Sequence, residues 1–181
     1  FQGNTTFSDR YLLSFINTKS RNFYNIFTSG SNLNVENFVF DLNKIKSFYK
    51  QKGFFEVNIN YDIYESSSNK YTVSFFINEG DRLKLDEIKL DNSNLIISDK
   101  INRNFDNFRK KISKNSLYFD QKIIDEFLDD INKLLIKNNI FNTIYVSNLV
   151  KQNSINELIF YEKNINPTRI KKIEIIGNDI T

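Results

Sequence analysis

The sequence predicts an α+β fold in which one β-α-α-β-β unit is used twice, each unit a three-stranded sheet covered on one face by two helices. The first observation behind this is a repeat. Leu42, Ile45, Phe48, Tyr49, Gly53 and Phe54 return 86 positions later as Leu128, Ile131, Leu134, Leu135, Asn139 and Ile140. The exchanges keep apolar residues apolar, and Gly53 becomes Asn139, the other residue that tolerates the left-handed conformation closing a helix. The second observation is strict alternation: Val57, Ile59, Tyr61 and Ile63 are separated by Asn58, Asn60 and Asp62, the period of a strand buried on one face. The third is a pair of helical stripes ahead of each such strand, which makes the repeat a module rather than a chance similarity.

Taken in order, Ser8 is the expected N-cap of a short first helix with Tyr11, Leu12, Phe15 and Ile16 on its apolar face. A polar stretch from Thr18 to Leu33 carries Phe23, Tyr24, Ile26 and Phe27 and a turn signal at Gly30. Asn34 opens a second helix whose stripe runs from Phe38 to Tyr49 and ends at Gly53. Val57 to Ile63 and Tyr71 to Ile77 form a hairpin around Ser66-Ser67-Ser68-Asn69. Leu83 to Leu90 is extended, and helices follow over Ile101 to Ile112 and Ile124 to Leu135. Strands from about Ile140 to Val150 and from Ile155 to Lys163 close the second unit. After Pro167, Ile170 to Asn178 repeats the extended opening of the earlier units. The expected division is therefore 1–79 for one domain, 80–164 for a second and 165–181 for the first strand of a further one.

Composition excludes much chemistry. Zero Cys removes disulfides and thiolate metal sites, and zero His removes the commonest general base and transition-metal ligand. No cofactor and no metal are expected, and an enzyme is the weakest reading. The 40% hydrophobic and 26% charged content is that of a globular chain, and no apolar run approaches the roughly 20 residues a membrane helix needs. The chain starts at Phe1 without Met and stops inside a third unit, so it reads as a piece of a longer protein. A net charge of +3 spread along the chain does not by itself imply a polyanion partner. A nucleic-acid-binding α+β module is a distant alternative, disfavoured because neither an RNP-type aromatic strand nor a Gly-x-x-Gly loop occurs.

Candidate contact residues come from topology. If the last strand of each unit is central, the first strand of the hairpin is an edge and offers main-chain groups to an extended peptide. The expected peptide-binding edge is Val57, Asn58, Ile59, Asn60, Tyr61, Asp62 and Ile63, with a second edge at Thr143, Ile144, Tyr145, Val146 and Ser147. Phe23, Tyr24 and Phe27 lie off any stripe and are candidate contact aromatics, and Asn78-Glu79-Gly80-Asp81 is the expected inter-domain hinge. Other patterns carry less. Asp125, Glu126, Asp129 and Asp130 lie on the polar face of a helix as a solvated run. Ser47-Phe48-Tyr49-Lys50 has the spacing of a Ser-x-x-Lys nucleophile motif without its companion motifs.

Several of these residues together carry a family resemblance. Gly3-Asn4 and Gly177-Asn178 at strand ends, the Leu42-x2-Ile45-x2-Phe48-Tyr49-x3-Gly53-Phe54 helix end, and Phe76-Ile77-Asn78-Glu79-Gly80-Asp81-Arg82 leading to Ile88 resemble POTRA (polypeptide-transport-associated) domains. The similarity is to those of the outer-membrane β-barrel assembly factors, the BamA-like family, with 1–79 resembling the third domain, 80–164 the fourth and 165–181 the opening of the fifth. The resemblance implies a non-enzymatic periplasmic arm, anchored to the outer membrane of a Gram-negative-type bacterium by a C-terminal barrel. Its implied partners are unfolded outer-membrane β-barrel proteins and accessory lipoproteins of the assembly complex, with no nucleic acid. A POTRA module of a related translocation or secretion system is the nearest alternative.

Overall fold

The computed structural model describes residues 1–16, 35–67, 70–91 and 97–166. Phe23, Tyr24, Phe27, Pro167 and the strand expected from Ile170 lie outside the described residues.

The first unit starts with Ser8 in extended geometry, its hydroxyl accepting from Tyr11 N, as the N-cap of α1 (Asp9–Leu13). Helix α2 (Val35–Gln51) then runs to Gly53, whose φ of +92° is the left-handed turn that releases the chain. Phe54 N reaches back to Tyr49 O and Gly53 N to Lys50 O, each 3.0 Å, the pair of bonds that satisfies the last orphan carbonyls of a helix. Strands β1 (Asn58–Ser67) and β2 (Lys70–Asn78) form an antiparallel hairpin.

The second unit follows the same plan. Strand β3 (Glu87–Leu90) precedes α3 (Ser98–Lys114) and α4 (Gln121–Lys137), and β4 (Thr143–Gln152) and β5 (Ile155–Asn164) complete it. Asp120 caps α4 by accepting from Lys122 N. At the other end Asn139 takes φ +61°, and Ile140 N donates to Leu135 O at 3.0 Å. The Gly53-to-Asn139 exchange thus preserves both the left-handed residue and the bond it permits. Ile140 is used to close the helix, so β4 begins at Thr143 and not at about Ile140 as expected.

The sheet order is β3-β5-β4, with β5 central, parallel to β3 and antiparallel to β4. In the first unit Gln2 plays the part of β3: it forms a parallel bridge to Phe76, with Gln2 N bonded to Phe75 O and Ile77 N to Gln2 O, both 2.8 Å. A full strand was expected at Phe1 to Asn4. It shortens to one bridge because Gly3, at φ +86°, turns directly over Ile77, where a Cβ would stand 2.2 Å from the Ile77 oxygen.

Each sheet buries one face under its helices. In the second unit Phe108, Phe127 and Phe160 meet with ring centroids 4.6–5.0 Å apart, over Ile101, Ile131 and Leu158. In the first, Phe7 stands edge-on to Phe48 and Tyr49 above Leu12 and Ile45. Aromatic edges and faces packed this way contribute beyond their buried area.

Candidate functional site: two sheet edges and the joint between the units

In a strand, main-chain groups point alternately to the two neighbours. Phe75 and Ile77 direct theirs to Gln2, so Phe76 and Ser74 face β1 and pair with Asn60 and Asp62. The main chain of Ile59, Tyr61 and Ile63 therefore points to the opposite side, where no strand pairs among the described residues. Side-chain burial falls along this strand: Val57 is buried, Ile59 half-buried, and Tyr61 and Ile63 are 37% and 38% exposed. The one-sided burial expected through Ile63 holds only for the first half of the strand.

The same alternation in β4 places Thr143, Tyr145, Ser147 and Leu149 outward, and there the edge is occupied. Asn132 of α4 accepts from Tyr145 N at 2.7 Å and donates its amide to Tyr145 O at 3.2 Å. The phenol of Tyr145 is buried and donates to Glu162 at 2.7 Å. Burial, with the Glu162 bond and charge behind it, pushes that phenol well above its ordinary pKa. Thr143, also buried, donates to Asn164. Sequence reasoning named Thr143 to Ser147 but missed Asn132. Its only signal is an amide four residues after Leu128, on the flank of the apolar stripe of α4.

The expected hinge residues have unequal places. Glu79 is 7% exposed and belongs to the first core. Its carboxylate accepts from Thr5 Oγ1, from Thr6 N and Oγ1, and from the Tyr49 hydroxyl, at 2.7–3.0 Å. Burial pushes this carboxyl up, but the donated bonds from Thr5, Thr6 and Tyr49 outweigh it and hold it below the usual carboxylate range. Burial, reinforced by the Glu79 bond and charge, raises Tyr49. Glu79 is thus an anchor of the first unit, whereas the sequence placed it in the expected inter-domain hinge. Asn78 Oδ1 accepts from Gly80 N at 3.2 Å, and Gly80 has φ +66°.

Beyond Gly80 the chain is held by both units. Leu83 N donates to Gly53 O and Leu83 O accepts from Phe119 N, while Leu85 N donates to Leu117 O. These bonds take the residues expected to lengthen β3, which is why β3 starts only at Glu87. Arg82 donates to Lys52 O at 2.8 Å, and its guanidinium lies 4.7 Å from the Tyr118 ring centroid and 5.7 Å from that of Phe54. Lys52 pairs with Asp120 at 2.7 Å, and Phe55 meets Phe119 edge-on at 5.2 Å.

Among the described residues no group of His, Cys, Asp or Glu is placed to hold a metal ion, and no helix is long and apolar enough to cross a membrane. Asp125 accepts from Gln121 and Glu126 pairs with Lys111, so both belong to the helix surface. Ser47 and Lys50 are exposed on α2.

Comparison with known proteins places this geometry. Residues 1–80 match the POTRA family, described as a surface antigen variable number repeat. No curated protein sequence matches the chain. Among solved structures, the crystal structure of Haemophilus influenzae BamA POTRA3-5 aligns with 100% of this chain and 70% of its own, at TM-score 0.58 and 16% identity. BamA from Haemophilus ducreyi lacking POTRA domains 1-3 aligns with 77% of this chain and 25% of its own, at TM-score 0.46 and 11% identity. Residues 1–80 therefore match the POTRA family model, and the chain as a whole shares its fold with the POTRA3-5 tandem of Haemophilus influenzae BamA.

Proposed function

We propose that the chain is a periplasmic binding and scaffold module of the outer-membrane protein assembly machinery, taking up extended segments of unfolded outer-membrane proteins along β1. The observation that carries this reading is the side of β1 away from β2, where the main chain of Ile59 and Ile63 faces outward beside half-exposed apolar side chains and no strand pairs among the described residues. Added strands draw affinity from main-chain bonds and only loose selectivity from side chains, which suits a receptor for many sequences. Docking of accessory subunits, a barrel anchor in the outer membrane and the absence of catalysis belong to the same reading, supported by the POTRA match of the first unit and the BamA-like fold. Affinity is weak, because a single added strand must offset the ordering of the whole peptide.

The test is amide exchange of the chain with and without an alternating Val-Thr peptide. Uptake on β1 protects the Ile59 and Ile63 amides. Ile59→Pro removes an outward donor and none from the hairpin ladder, so it weakens binding by about 1 kcal/mol, several-fold, while the hairpin persists. Protection of β1 unchanged by saturating peptide sinks the reading.

A further inference from the structure

The two edges differ in what the covering helix presents to them. On β4 the amide of Asn132 does to Tyr145 what a neighbouring strand would do, accepting from its N–H and donating to its carbonyl. On α2 the position that corresponds through the 86-residue offset is Lys46, which is exposed. An ammonium has three donors and no acceptor, so it cannot satisfy a backbone N–H. The corresponding strand residue is Ile59, whose main chain faces the side of β1 on which no strand pairs among the described residues.

We infer that Asn132 is a built-in plug of the second edge: it occupies the main-chain site of Tyr145 and restricts the uptake of extended peptide to the first unit. The inference rests on the edge-pairing reading and deepens it by assigning which edge works and why. An approaching strand can pair along Thr143 to Ser147 only by displacing both Asn132 bonds, and it gains nothing at Tyr145, because it replaces two satisfied bonds with two equivalent ones. At Ile59 the same two bonds are a net gain. The plug also serves the folded chain, since an edge flanked by Ile144, Val146 and Val150 is a template for unwanted pairing. Natural sheets blunt such edges with charges, prolines and bulges, and here a side-chain amide from the covering helix does it.

The experiment compares the intact chain with Asn132→Ala in the same peptide titration, reading exchange residue by residue and the number of peptides bound. Wild type is expected to bind one peptide, with protection on β1 and no peptide-dependent change at Thr143, Tyr145 or Ser147. Asn132→Ala is expected to bind a second peptide, with protection appearing at Tyr145 and Ser147 and affinity at that edge rising about tenfold. A merely structural role of Asn132 lowers stability and adds no second peptide. Protection of Tyr145 and Ser147 by peptide in wild type overturns the inference, as does a variant that still binds at β1 but gains nothing at β4; in both cases edge pairing itself survives. Uptake at neither edge in either protein overturns the edge-pairing reading and this inference with it. Should Asn132→Ala not fold, the surface change Lys46→Asn decides: loss of peptide protection at Ile59 supports the plug, and undiminished protection overturns it.

Discussion

Glu79 sits at the end of β2 with its carboxylate turned into the first core, surrounded by donors from Thr5, Thr6 and Tyr49. Its folded pKa lies below that of the unfolded chain, so on acidification the unfolded state takes up the proton first. The stability it contributes is complete above the unfolded carboxylate value of about 4.3 and is lost as pH falls through the lower folded value. Glu79→Gln presents an amide N–H₂ to groups that already donate, and is expected to cost about 2 kcal/mol at neutral pH. Denaturant titrations at a series of pH values check both statements: wild type loses this increment in acid, and the variant has none to lose. Nothing in the sequence marks Glu79 as buried, because its partners lie more than 70 positions away at Thr5 and Thr6 and only the fold brings them together.

At the scale of elements, the helix ends were the most legible feature. Gly53 and Asn139 differ chemically yet take the same left-handed turn and the same closing bond. They are not interchangeable. A Cβ on Gly53 would lie 3.1 Å from Phe119 O and 3.2 Å from Phe119 Cβ, whereas Asn139 is exposed. Gly53→Ala is therefore expected to cost about 1–3 kcal/mol from the left-handed strain and the crowding together, while Asn139→Gly stays within about 0.5 kcal/mol. Thermal melts of the two variants separate these outcomes. The stripes of α3 and α4 likewise announced their buried faces, and Phe160 completes them from the central strand. Phe160→Ala opens the aromatic cluster and is expected to cost about 3–5 kcal/mol in denaturant unfolding, against about 0.5 kcal/mol or less for Ile155→Ala at the exposed start of β5.

For the whole molecule, the joint is built where the sequence suggested a pivot. Leu83 is bonded to Gly53 on one side and Phe119 on the other, and Arg82 and Lys52 tie the end of α2 to the α3–α4 turn. With Glu79 anchored in the first core, the proposed pivot is Gly80 and Asp81. Solution scattering of wild type is expected to fit a narrow range of inter-unit angles, and Arg82→Ala to broaden it by removing the bond to Lys52 O and the stacking on Tyr118. A broad distribution already present in wild type would show that these contacts do not hold the joint. Short polar linkers between domains ordinarily permit such motion. The interlocked backbone around Leu83 is what distinguishes this one.

The unit and its order were legible without a structure, because helical and strand periods, an 86-residue offset and turn-forming Gly and Asn are local signals that survive without contacts. The sequence also indicated that the hairpin's first strand would lie at an edge if the last strand of the unit is central, as β5 is. Packing decided what lies against each edge. Whether an outward N–H is open depends on a side chain from another element, and Asn132 is 13 positions from Tyr145 in sequence but within hydrogen-bond distance of it in the fold. The same holds for Glu79 and Leu83. Polar groups take their roles from the partners that burial forces on them, and those partners are set by packing across the chain, which no local pattern encodes.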